Sequence, residues 1–127
     1  MKRRLLIIDD ESSHSRFIKW ILEDESYEFF TANSFKDAVK LLKKEKFHLI
    51  LLDLIMPDAD GFEILNYLKT DEKLRDIPVL IVSAKNDRES IEASLRKGAK
   101  DYIVKPYNSE VLHNKIAIIL KMNLEIK

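Results

Sequence analysis

The sequence has no cysteine, which removes disulfides, thiolate ligation and cysteine nucleophiles and fits a cytoplasmic location. No apolar run approaches the roughly 18 residues that a membrane helix needs, so no membrane contact is expected. The opening MKRRLLII has a basic start, but Asp9 and Asp10 end its apolar run too soon for a secretion signal. Neither sign of charge is in excess. Lys plus Arg and Asp plus Glu each number 22, which leaves no basic field with which this domain would hold nucleic acid. Internal repeats, low-complexity tracts and linkers are also missing. What remains is a chain of 127 residues, 46% hydrophobic, large enough for one domain to bury a core without covalent staples.

Residues 47–62, FHLILLDLIMPDADGF, organise the rest. Leu49 to Leu54 hold five apolar residues and one acid, Asp53, before Pro57 breaks the run into an acidic turn closed by Gly61. Burying an isolated carboxylate costs several kcal/mol or forces it to protonate. Asp53 is therefore expected at the exposed C-terminal tip of a strand, with a chemical role.

Four more runs of strand length accompany it, and three of them also end on polar side chains. Residues 5–8 end on Asp9, Asp10 and Glu11, and Ser12 and Ser13 offer caps to a helix bearing Phe17, Ile18, Ile21 and Leu22. Residues 27–32 are aromatic and β-prone, and Ser34 caps a second amphipathic helix carrying Phe35, Ala38, Val39, Leu41 and Leu42. Gly61 releases a third helix. The strand at 78–82 ends on Ser83, Asp87 opens a helix with Ile91 and Leu95 facing inward, and Gly98 is its left-handed stop. The strand at 102–104 ends on Lys105-Pro106, and Asn108 or Ser109 caps a last helix through Leu120. Five continuously apolar strands alternating with five helices predict a parallel sheet covered on both faces, an α/β fold.

The ends of those strands carry the chemistry. In a parallel sheet Asp9, Asp10, Asp53, Ser83 and Lys105 all reach one edge, where open α/β sheets bind ligands. Carboxylates converging there repel unless a cation lies among them, and oxygen-only ligation suits Mg²⁺, with Mn²⁺ as an alternative. Lys105 and Ser83 are groups that stabilise phosphoryl oxygens. Asp53 is then a carboxylate nucleophile able to form an aspartyl phosphate.

The motifs LLIIDDE (5–11), LLDLIMPDADGFE (51–63), LIVSAK (80–85) and GAKDYIVKPY (98–107) together resemble a response-regulator receiver domain, the chemotaxis-regulator-like module of two-component signalling. The resemblance implies a doubly wound, flavodoxin-like sheet of strand order 2-1-3-4-5. It implies that Asp53 accepts a phosphoryl group from a histidine kinase or histidine phosphotransfer domain. Asp10 and Asp53 would ligate Mg²⁺ with the backbone carbonyl of Ile55, and Asp9 would assist through water. Lys105 would touch the phosphoryl group, with a cis bond to Pro106. Ser83 and Tyr102 would be the switch pair, the ring of Tyr102 turning inward as the hydroxyl moves toward phosphate and reshaping the face built from the fourth helix, fifth strand and fifth helix. Such a domain is a phosphoprotein switch for phosphorelay signal transduction, not a turnover enzyme.

Ser83 stands where the family more often has threonine. The resemblance implies that Ile55 and Lys85 occupy the positions flanking the path of the hydrolytic water, where an apolar and a long side chain predict a long-lived phosphorylated state. Asp58 and Asp60 read as solvated turn acids favouring the next helix, Glu11 as a first-turn helix residue or else a further acid at the metal, Trp20 as packing, and the three histidines as unrelated to a metal. On the last helix Leu112, Ile116 and Ile119 form the core stripe. Val111, Ile118 and Met122 form a second stripe, a partner surface or phosphorylation-dependent homodimer face unless residues 123–127 cover it. The expected organisation is a receiver over residues 1–122 and a short tail over 123–127. With the chain ending near its last helix, it reads as a stand-alone regulator or the N-terminal part of a larger protein. A receiver-like interaction module acting without phosphorylation is the alternative.

Overall fold

The computed structural model describes residues 2–23 and 26–126, with the side chains of 122–126 outside the description. The chain alternates β1 (Arg3–Ile8), α1 (Ser12–Ile21), β2 (Tyr27–Ala32), α2 (Phe35–Lys44), β3 (Leu49–Leu52), α3 (Gly61–Thr70), β4 (Val79–Ser83), α4 (Arg88–Arg96), β5 (Asp101–Val104) and α5 (Ser109–Ile126). The five strands form one sheet in the order β2-β1-β3-β4-β5, and every pairing is parallel. This is the architecture that the continuous apolar runs predict.

Successive strand side chains point to opposite faces, so a strand that is apolar throughout feeds two cores. Leu6, Ile8, Ile50, Leu52, Val79 and Ile81 join one core with Ala38 and Leu42 of α2 and Ile64, Leu65 and Leu68 of α3. Leu5, Ile7, Leu49, Leu51, Leu80 and Val82 join the other with Ile18 of α1 and Leu112, Ile116, Ile119 and Leu120 of α5. The buried strands therefore lock the sheet between two helical layers.

Register aligns the strand ends. Ile8 pairs with Leu52, Leu52 with Ile81, and Ser83 with Val104. The ladder runs one residue beyond: the Asp53 N–H donates to the Ile8 carbonyl (3.0 Å) and the Lys105 N–H to the Ser83 carbonyl (2.9 Å). Asp9, Asp53, Ser83 and Lys105 are thus fixed by sheet hydrogen bonds rather than by free loops.

Several local expectations are corrected. Ser12 and Ser13 lie inside α1, whose N-cap is Glu11; Asp9 Oδ1 accepts the Glu11 N–H at 2.9 Å and starts the turn earlier. Phe17 and Trp20 are exposed, the latter at 68%, and stack on each other instead of entering the core. On α4 Ile91 packs against the core as expected, but the buried positions are Ser90 and Ser94, and Leu95 is 44% exposed. Those serines spend their hydroxyls locally, Ser94 Oγ donating to the Ser90 carbonyl and Ser90 Oγ to Asp87, so small polar residues pass as core. The last helix continues past Leu120 to Ile126, because no glycine or proline follows to stop it. Among the described residues no helix is long and apolar enough to cross a membrane.

Candidate functional site

Asp53 sits at the tip of β3, as the sequence argument requires, but it is buried, at 4% exposure, rather than exposed. Burial is tolerated because every oxygen is satisfied. Oδ1 accepts the Ser83 hydroxyl at 2.7 Å and the Ile55 N–H at 3.0 Å, and Oδ2 accepts Lys105 Nζ at 2.8 Å. Removing a cation from such a buried pair costs about 3–5 kcal/mol, since an uncompensated charge is left behind.

Lys105 is the hub of the acids. Its ammonium also reaches Asp9 Oδ2 at 3.1 Å and Glu11 Oε1 at 3.0 Å. Burial alone would lower its pKa, but the bonds to Asp53 and Glu11 and the charges of Asp9 and Asp53 outweigh it and hold the lysine firmly charged. Glu11 thus belongs to the site through Lys105, not merely to a first helical turn. The Lys105-Pro106 bond is cis.

Asp9 is equally enclosed. Burial would raise its pKa, yet hydrogen bonds from His14 and the Glu11 N–H, together with Lys105, bring it below the ordinary carboxylate value. Asp10 is exposed, and one carboxylate oxygen from each of Asp9, Asp10 and Asp53 lies within 4.8 Å of the others. Three hard anionic oxygens with an open side suit a small divalent cation that keeps part of its water shell, so the donor set fits Mg²⁺.

Ser83 and Tyr102 are joined through one residue. The Lys85 N–H donates to Ser83 Oγ at 3.3 Å, and the Lys85 carbonyl accepts the Tyr102 hydroxyl at 2.5 Å. Tyr102 points inward and is 8% exposed, which pushes its phenol pKa up by burial. Ile55 is 53% exposed beside Asp53, and Lys85 reaches Asp87 at 3.8 Å. On α5, Val111 and Ile118 are exposed; the side chain of Met122 lies outside the described residues.

Three contacts escape sequence reasoning. His14 is not remote but lies against Asp9, Nδ1 to Oδ2 at 2.6 Å, with Nε2 2.8 Å from the Tyr107 hydroxyl. Asp58 caps α2, not the following helix, by accepting the Phe35 and Lys36 N–H groups, while Asp60 caps α3 through Phe62. The Lys105 to Glu11 pair is the third. Only the closeness of Glu11 to the acid pair hinted at any of these.

Comparison with known proteins agrees with this geometry. A family model described as the response regulator receiver domain matches residues 5–117. The phosphate regulon transcriptional regulatory protein PhoB of Escherichia coli (strain K12) is 31% identical over 121 residues, 95% of this chain and 53% of that protein. The alkaline phosphatase synthesis transcriptional regulatory protein PhoP of Bacillus subtilis (strain 168) is also 31% identical over 121 residues, covering 95% of this chain and 50% of the relative. The chain therefore spans about half the length of the curated relatives it matches. Among solved structures, a response regulator receiver domain protein (CheY-like) from Methanospirillum hungatei JF-1 superposes with a TM-score of 0.90 at 32% identity, covering 100% of both chains. The receiver domain of a signal transduction histidine kinase from Syntrophus aciditrophicus gives 0.84 at 31% identity, covering 94% of this chain and 90% of that one.

Proposed function

The chain belongs to the response regulator receiver domain family, and from that premise we propose a phosphorylation switch in which Asp53 accepts a phosphoryl group from a histidine kinase or histidine phosphotransfer domain. The observation that carries this reading is the division of contacts on Asp53: a hydroxyl on one oxygen, an ammonium on the other, and two further acids beside it. A carboxylate kept only for packing has no use for that combination.

A carboxylate oxygen of Asp53 attacks phosphorus in line with the departing group. The new O–P bond forms as the donor's N–P bond breaks, and the donor imidazole keeps the electron pair. Asp9, Asp10, Asp53 and the Ile55 carbonyl would hold Mg²⁺, which offsets the acids' repulsion and neutralises phosphoryl charge when bound. Lys105 and Ser83 re-aim from the Asp53 oxygens to the phosphoryl oxygens, groups already held by the sheet and needing little reorganisation. Because Ser83 and Tyr102 share the Lys85 backbone, a shift of the hydroxyl alters the anchor of the ring. That biases the face of α4, β5 and α5, a local charge event read out by a two-state element.

The domain acts in the cytoplasm without touching membrane or nucleic acid itself. Val111 and Ile118 offer the apolar face on which an effector or a phosphorylation-dependent second copy docks. Amide chemical shifts test the switch. Phosphorylation is expected to move resonances of residues 83–96 and 101–120 in the wild type, and Ser83→Ala is expected to confine the changes to the neighbours of Asp53. Equal, widespread shifts in both proteins would rule out Ser83 as the coupling group.

A further inference from the structure

His14 lies one turn into α1 with its side chain 11% exposed, wedged between the Asp9 carboxylate and the Tyr107 hydroxyl. Asp9 Oδ2 already accepts from the Lys105 ammonium, so in the contact with His14 the carboxylate also accepts and His14 Nδ1–H donates. Nε2 is then tied to Tyr107, whose ring also meets His14 edge-on at 5.7 Å and Phe17 at 6.1 Å. Tyr107 follows Lys105-Pro106, on the loop that delivers Lys105 to the same Asp9 oxygen. The two loops carrying the acid pair and the lysine are thereby clasped together through one imidazole.

We infer that His14 is a positioning residue for phosphoryl transfer to Asp53, fixing the Asp9 carboxylate for Mg²⁺ while Tyr107 fixes His14. The inference rests on the phospho-acceptor reading above. A carboxylate with one free torsion is costly to hold in a ligating orientation, and outer partners that restrain such a group are worth about 10–100-fold in metal affinity. The lower end applies here, because Asp9 keeps the Glu11 N–H and Lys105. Tyr107 acts only through His14, so the two contributions must not add.

The test is Mg²⁺ titration by calorimetry of the unphosphorylated full chain, each variant checked for folding by circular dichroism. His14→Ala is expected to weaken Mg²⁺ binding by about tenfold. Tyr107→Phe should weaken it less, and the double variant no more than His14→Ala. His14→Asn, whose amide nitrogen occupies the place of Nδ1, should recover most of the loss, whereas His14→Gln should not. In acetyl phosphate reactions the Mg²⁺ concentration for half-maximal rate should rise in His14→Ala with the rate at saturating Mg²⁺ unchanged. Unaltered Mg²⁺ affinity in His14→Ala, or additive losses in the double variant, would overturn the inference. A wild type that binds no Mg²⁺ would instead overturn the phospho-acceptor reading on which it stands.

Discussion

Gly61 is the position where a single methyl group tests the packing around the site. A Cβ placed on it would lie 2.3 Å from the Leu54 Cα, 2.4 Å from the Leu54 carbonyl oxygen and 2.7 Å from the Leu54 carbonyl carbon. Carbon contacts are ordinarily about 3.5–4.0 Å, so the chain must part by about an ångström. The obstacle is backbone and cannot rotate away. It also belongs to a closed turn, for the Gly61 N–H donates to the Leu54 carbonyl at 3.1 Å and Ile55 bridges Asp60. Overpacking costs about 1–3 kcal/mol, and a rigid obstacle puts Gly61→Ala at about 3 kcal/mol. An unfolding entropy of about 2.1 cal/mol/K per residue gives about 0.27 kcal/mol/K for 127 residues, hence a fall in Tm of about 11 °C. Gly98→Ala is the control: its φ of 111° strains any side chain, but its Cβ meets only the flexible Lys69 stem at 3.2 Å. Left-handed strain of about 1–2 kcal/mol predicts a fall of about 4–7 °C. Scanning calorimetry of both variants decides the matter. A drop below about 3 °C in Gly61→Ala, or a larger drop in Gly98→Ala, would refute the close-approach argument.

Other expectations follow from the same structure. Lys105 and Tyr107 both have folded pKa values raised above their unfolded ones, Tyr107 to about 12 by burial, so their contributions are complete below about pH 10 and are lost as pH rises through the folded values. Chemical denaturation from pH 9 to 12 should therefore show falling stability, and Tyr107→Phe should flatten part of the slope, on the order of 1 kcal/mol after allowance for partial exposure. Replacing Ile55, half-exposed beside Asp53, by asparagine should open the path of the hydrolytic water and shorten the phosphoryl half-life by about tenfold, equivalent to about 1.4 kcal/mol; an unchanged half-life removes the shielding idea. Ile118→Glu should leave stability within about 0.5 kcal/mol while weakening self-association or effector binding in sedimentation experiments, and unchanged association would remove that surface from the account.

The sheet was legible because strands buried on both faces leave an uninterrupted apolar signature, and Leu49 to Leu52 are buried to the last residue. The convergence of polar side chains at one sheet edge was legible for a complementary reason: an acid, a hydroxyl and a lysine that end apolar runs have no packing role. The losses occurred where neither pattern operates. Ser90 and Ser94 satisfy themselves within their own helix, so α4 turns a polar stripe inward and displaces Leu95 to the surface. The clasp of His14 and Tyr107 spans 93 positions and carries no periodicity to detect. Asp58 reaches back to a helix 22 and 23 residues earlier, a partner chosen by the layer packing of α2 against α3 rather than by local turn chemistry.

The central claim is that Asp53 is a metal-assisted phosphoryl acceptor, and intact mass after incubation with acetyl phosphate addresses it most directly. The account predicts one added phosphoryl group in the wild type with Mg²⁺, and none either without the metal or in Asp53→Asn. No addition to wild type under any condition would contradict it and leave a constitutive interaction module as the better reading; addition that persists in Asp53→Asn would place the acceptor elsewhere.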